Sequence, residues 1–238
     1  VYMAVTGNLV VGLVALAVAG RYSQYETEGE HTRSDMPTML LSPAMYRFVL
    51  FGLGVSGLTS FAYEIYWTRS LVFILRTSTY ALTTMLSAFL TGIALGGWLI
   101  RYVMKRSVDR VLSFGVIQIL LGLMSAAALP LLFAVSDPQT LSRHVISASG
   151  NATGLLLTGY GISFLVMLAP AILIGTTFPL VGSLGIRDRE HAGTAVGRTY
   201  AVNTIGNVLG ALLPGLVLIN WIGIQKGILL MALINTVL

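Results

Sequence analysis

Apolar residues in this chain come in long uninterrupted runs, separated by short clusters of charge. A helix rises 1.5 Å per residue and the hydrocarbon core of a bilayer is about 30 Å thick, so a crossing needs roughly 20 mostly apolar residues. Residues 1–20 carry no charge and end at Arg21. Residues 48–68 form a second run with one acid, Glu64, and residues 77–100 and 111–135 form a third and fourth without charge. No charged residue lies between Val145 and Ile186, which is longer than one helix needs. The pattern there predicts a polar loop through Asn151 and a fifth span over 154–182. A sixth is predicted over 199–222. After Lys226 another apolar run reaches Leu238 in twelve residues, too few to cross, and the expectation is that the polypeptide continues beyond it. Residues 21–47, with Glu26, Glu28, Glu30, Arg33 and Asp35, read as an exposed loop. The predicted fold is an all-α polytopic membrane protein of about seven transmembrane helices.

Composition points the same way. Hydrophobic residues make up 55% of the 238 and charged residues 10%, with a mean hydropathy of +0.84. A soluble domain carries roughly 25% charged side chains, so the bilayer is the expected partner. The net charge of +5 is spread over single basic residues between apolar runs, a pattern of membrane topology and not of a nucleic-acid face. There is no cysteine, hence no disulfide, thiolate or Cys-ligated metal. The three histidines, His31, His144 and His191, sit in polar connections without metal-ligand spacing, and neither a metal nor a cofactor is expected. Alternate connections hold unequal numbers of Lys and Arg. Arg21, Arg33, Arg47, Arg101, Lys105, Arg106, Arg110, Arg187, Arg189 and Arg198 fall on one side, against Arg69, Arg76, Arg143 and Lys226 on the other. Ten against four places the first set in the cytoplasm, Val1 outside and Leu238 towards the inside.

Glu64 is the one acid inside a predicted span, where an unpaired charge costs a few kcal/mol or more. It lies 17 residues from Arg47, about 25 Å along a helix and so near the outer boundary. Its neighbours Phe61, Tyr63, Tyr66, Trp67 and Arg69 leave two readings: a boundary carboxylate neutralised by Arg69 or Arg76, or a cation-binding acid among aromatic faces. Tyr200, Asn203 and Asn207 share one helical face in the sixth span, with a GxxxG at Gly206 and Gly210. Pro214 leaves the Gly210 carbonyl without its donor. This face serves either close helix packing with Asn203 as a bridge, or a weakened helix lining a pathway. Pro170 and Pro179 free the carbonyls of Val166 and Gly175, predicting a kink that Thr176 and Thr177 re-satisfy locally. Gly92, Gly96 and Gly97 form a further small-residue surface. The GxGxxG at Gly52–Gly57 follows no strand and sits inside a span, and the sequon Asn151–Ala152–Thr153 is a chance-level match; neither is assigned a role.

Several of these stretches, in order, resemble the membrane portion of bacterial fused major-facilitator-like/spermidine-synthase proteins. The similar segments are Glu64–Ile65–Tyr66–Trp67–Thr68–Arg69–Ser70–Leu71, Ser78–Thr79–Tyr80–Ala81, Gly92 to Gly96, Pro170 through Gly175–Thr176–Thr177–Phe178–Pro179, and Gly197–Arg198–Thr199–Tyr200–Ala201–Val202–Asn203–Thr204–Ile205–Gly206. The resemblance implies that 48–238 is a six-span major-facilitator-like half with its last span cut short. It further implies that 1–20 ends a preceding half, that 21–47 is the cytoplasmic connector, and that the setting is a bacterial inner membrane. Asn8 and Asn235 then fall at corresponding positions of the two halves. Such proteins often carry a cytoplasmic aminopropyltransferase-like domain downstream; no nucleotide loop for one exists in these residues, and no catalytic residue is assigned. The leading expectation is a transporter-like module handling polyamines or related cations. Glu64, Tyr66, Trp67 and Tyr80 would line its outer vestibule, with Asn203 and Asn207 deeper, and Arg69 and Tyr200 are further candidates for substrate binding. Gly92, Gly96, Pro170, Gly175, Pro179, Gly206, Gly210 and Pro214 would serve packing or hinging. The alternative is a structural or assembly subunit packed against other membrane subunits.

Overall fold

A computed structural model describes residues 42–75, 77–106, 108–136, 152–185 and 189–238. The expected first span, most of the 21–47 connector, and the loop through Asn151 lie outside the described residues. The ordered elements are α1 (Pro43–Leu75), α2 (Ser78–Met104), α3 (Arg110–Ser136), α4 (Ala152–Gly185), α5 (Arg189–Leu213), a π-helical turn (Pro214–Leu218) and α6 (Ile219–Val237), with no strand among the described residues. Five runs are long and apolar enough to cross a membrane: Pro43–Phe73, Ser78–Met104, Arg110–Leu131, Thr158–Gly185 and Gly193–Val237. Outward-facing apolar side chains cover them, Trp221 being 82% exposed and Phe73 75%. Water would not tolerate such a surface on a folded domain, whereas lipid does.

The helices begin where short polar side chains cap them. The Ser42 hydroxyl accepts from the Met45 amide at 3.2 Å, and Pro43 occupies the first helical position, where a missing N–H costs nothing. This starts α1 inside the stretch read as connector. Thr77 caps α2 by accepting from Tyr80 N, and Asp109 caps α3 by accepting from Val111 N at 2.8 Å. Helix α4 runs as one element through Pro170 and Pro179. Thr176 and Thr177 donate to Leu173 O and Ile174 O, not to the carbonyls the prolines leave open. At Pro214 the helix widens into the π-helical turn, in which Ile219 N donates to Pro214 O.

Two pairs of helices run parallel with backbones touching. Gly92 of α2 lies against Ala171 of α4, and Gly96 against Ile172 and Gly175; a Cβ on Gly175 would stand 2.6 Å from the Ile93 Cα. Gly206 and Gly210 of α5 lie against the Gly54 and Leu58 carbonyls of α1. Only a glycine allows approaches this close. Gly97, by contrast, faces open space.

The last apolar run is 45 residues, more than one crossing needs. Register explains it. α5 ascends beside α1, since Gly206 pairs with Gly54 and Gly210 with Leu58. After Gly223 the order inverts: Gly227 meets Tyr66, Asn235 meets Tyr63 and Thr59, and Leu238 approaches Gly52. Gly223, at φ 75° and ψ 178°, is the reversal, a conformation that costs residues with a Cβ about 1–2 kcal/mol or more. The break falls one residue after the predicted end of the sixth span. Helices α3 and α6 pack on each other and on α1, while α4 packs against α2, α3 and α1.

Candidate functional site

The interior centres on α1, the most enclosed of the apolar runs. Tyr63 and Trp67 stack one turn apart with ring centroids at 5.3 Å, and Phe89 of α2 meets Trp67 edge-on at 5.7 Å. Tyr66 packs against Gly227 on α6. All three α1 aromatics are fully buried in the main apolar cluster. Tyr66 and Trp67, predicted as vestibule residues, are therefore core side chains here. Tyr80 at the start of α2 is 55% exposed and Tyr200 on α5 is 64% exposed, the latter edge-on to Phe178 at 5.9 Å. Neither joins the α1 aromatics.

Glu64 keeps a half-buried position on α1. Among the described residues its carboxylate has no ion pair and no hydrogen bond. Arg69 is exposed a turn and a half further on, and Arg76 lies outside the described residues. An acid so placed within a span is costly unless a cation or water meets it.

Asn203 and Asn207 form an interhelical bridge. With its amide nitrogen turned inward, Asn207 donates to Gly57 O of α1 at 3.2 Å and to Asn203 O at 3.1 Å, and accepts from Asn203 Nδ2 at 3.2 Å. Gly57 allows this because a Cβ there would come within 2.9 Å of both side-chain oxygens. The two asparagines are thus occupied by α1 and by one another.

A second polar group, not picked out in the sequence as a site, lies between α1, α3 and α6. The Thr59 hydroxyl donates to Asn235 Oδ1 at 2.8 Å, and Asn235 Nδ2 donates to the Tyr63 hydroxyl at 3.2 Å. Ser125 of α3 lies beside the same hydroxyl. Elsewhere in the interior, buried polar atoms have no hydrogen-bond partner among the described residues: the Tyr46 and Tyr66 hydroxyls, Ser56 Oγ, Trp67 Nε1, both amide atoms of Gln118 and Ser163 Oγ. Each unmet group costs about 1–3 kcal/mol in a protein interior, and more where lipid replaces water outside. The signal for such groups was an i, i+7 pair, Gln118 and Ser125, in an otherwise apolar run. Among the described residues no His, Asp or Glu cluster is arranged to hold a metal.

At one end of the bundle sit Arg47, Arg101, Lys105, Arg106, Arg110 and Arg198. Arg110 donates from Nη1 to Ser183 Oγ at 3.3 Å, and Arg101 lies over the Trp98 and Tyr102 rings at 5.9 and 6.0 Å, an arrangement suited to a membrane interface. Arg69 and Lys226 stand towards the opposite end. No protein-family model, curated protein or solved structure matches this chain.

Proposed function

We propose that this chain is a transporter-like membrane module that takes up a cationic amine at Glu64, as the resemblance to fused major-facilitator-like/spermidine-synthase proteins implies. The observation that carries the reading is the half-buried Glu64 carboxylate, set within an apolar helix without a cationic partner among the described residues. A group so exposed to cost needs a ligand to balance it, and an ammonium group supplies both charge and hydrogen bonds. On this reading the chain crosses a bacterial inner membrane seven times, residues 48–238 form one major-facilitator-like half, and the basic end faces the cytoplasm. A synthase-like domain on that side would receive the amine. Replacing Glu64 by Gln removes the charge and keeps the shape. Spermidine uptake into proteoliposomes is expected to fall by about tenfold or more, as loss of a charge-assisted contact requires. Unchanged uptake overturns the assignment.

A structural subunit is the second reading, and the glycine-packed α1–α5 and α2–α4 pairs favour it, because they close the helix faces that a gate would use. Co-purification with other membrane subunits at fixed stoichiometry, together with no spermidine uptake by the wild-type protein, selects this reading over transport.

A further inference from the structure

Helix α2 begins at Ser78, and Trp98 lies about 30 Å along it, the thickness of a hydrocarbon core. Up to that height its outward side chains are apolar, among them Leu86, Leu90 and Leu95. From there Trp98, Arg101, Tyr102 and Lys105 follow at i, i+3, i+4 and i+7, one face of the helix, and all four are exposed. Arg101 and Lys105 stand about 4.5 and 10 Å past Trp98, and the headgroup layer adds about 5–8 Å on each side of the hydrocarbon. The two cations are therefore carried at headgroup height on a surface that faces lipid.

The four side chains form one unit. The Trp98 and Tyr102 rings meet edge-on with centroids 5.2 Å apart. The Arg101 guanidinium lies within 6.0 Å of both rings, and Lys105 Nζ is 6.0 Å from the Tyr102 ring. Arg101 Nε donates to Trp98 O at 3.3 Å, which orients the guanidinium and leaves its two terminal nitrogens to donate elsewhere. Among the described residues neither Arg101 nor Lys105 has an ion pair. Asp109, the acid nearest in sequence, spends Oδ1 on the Val111 and Leu112 amides as the cap of α3. Arg110, at the same end, is taken by Ser183. Gly97, one turn before Arg101, has nothing within 4 Å of where a Cβ would stand, so the helix surface leading up to the guanidinium is bare. A helix C-terminus favours cations and accounts for their presence. It does not account for two rings that fix them at the rim of the lipid-facing surface.

We propose that Trp98, Arg101, Tyr102 and Lys105 form a seat for one anionic phospholipid, its phosphate held by the two cations and its acyl chains lying along Gly97 and Leu95. A phosphodiester offers oxygens to the guanidinium fork and to the ammonium together. A zwitterionic lipid brings its own cation to the same place and loses part of that attraction. An acidic peptide has no chain to cover the apolar surface below. The inference does not rest on Glu64, which belongs to α1.

The test is to titrate the purified protein in detergent with phosphatidylglycerol or phosphatidylcholine of the same acyl chains, and to count bound lipid by native mass spectrometry. One phosphatidylglycerol is expected to bind about tenfold more tightly than phosphatidylcholine, or better, as one charge-assisted contact requires. Arg101→Gln/Lys105→Gln should abolish that preference. Arg106→Gln/Arg198→Gln, which removes the same charge from the same end of the bundle, should keep it. Millimolar inorganic phosphate should leave the lipid in place, and Glu64→Gln should leave its binding unchanged, which separates this result from that of amine uptake. The proposal is overturned if the wild type shows no preference, or if both double variants lose it equally, since diffuse surface charge then suffices. Displacement of the lipid by inorganic phosphate or by polyglutamate also overturns it, and makes the patch a site for a soluble anion or an acidic protein.

Discussion

Asn235 is the side chain by which α6 is tied to α1. It accepts from Thr59 and donates to Tyr63, and it is wholly buried, so neither bond is shared with solvent. Asn235→Leu removes both and leaves the Tyr63 hydroxyl without its donor and Thr59 without its side-chain acceptor. A destabilisation of about 1–3 kcal/mol is expected, read as a lower unfolding temperature in detergent. Thr59→Val added to it should cost less than the same change alone, because only the local bond from Thr59 to Ser56 O is then left to lose. In the sequence Asn235 was marked only by its correspondence with Asn8; its contacts were not legible, since the partners lie 172 and 176 residues away. The aromatics of α1 show the opposite difficulty. Tyr66 and Trp67 read from sequence as the lining of an outer vestibule near Glu64, but α1 is enclosed by its neighbours, and the same side chains become core.

At the scale of elements, the existence and order of the apolar runs were legible, with ends off by one to ten residues, because crossing length and charge placement are local properties. The predicted 77–100 and 111–135 became Ser78–Met104 and Arg110–Ser136. Helix ends past the apolar boundary were less visible: α1 begins at Pro43 because Ser42 caps it, although Arg47 marks the polar side. The reversal at Gly223 needed the structure, since an isoleucine on either side conceals it in an apolar string. Glycine spacing showed that helices would touch without showing which ones. Gly96→Leu would drive a side chain into the Ile172 carbonyl, and Gly206→Leu into that of Gly54. Each is expected to cost about 3 kcal/mol or more through separation of a backbone-packed pair, seen as loss of monodisperse protein in size-exclusion chromatography. Gly97→Leu, facing open space, should be tolerated.

For the whole molecule, charge decides orientation. Six cations of the described residues gather at one end of the bundle, and the expectation that this end is cytoplasmic has a direct check. Thr77→Cys and Val108→Cys lie in connections at opposite ends, both exposed. In intact cells an impermeant maleimide should label Thr77→Cys and spare Val108→Cys; the reverse pattern would turn the molecule over. The parallel pairs carry a mechanical corollary. Where backbone rests on backbone there is no side-chain slack to take up a sliding motion, so α1 with α5, and α2 with α4, behave as two stiff beams. Any rearrangement that admits a solute must swing one beam relative to the other, across the contacts that α1 makes with α2 and α4.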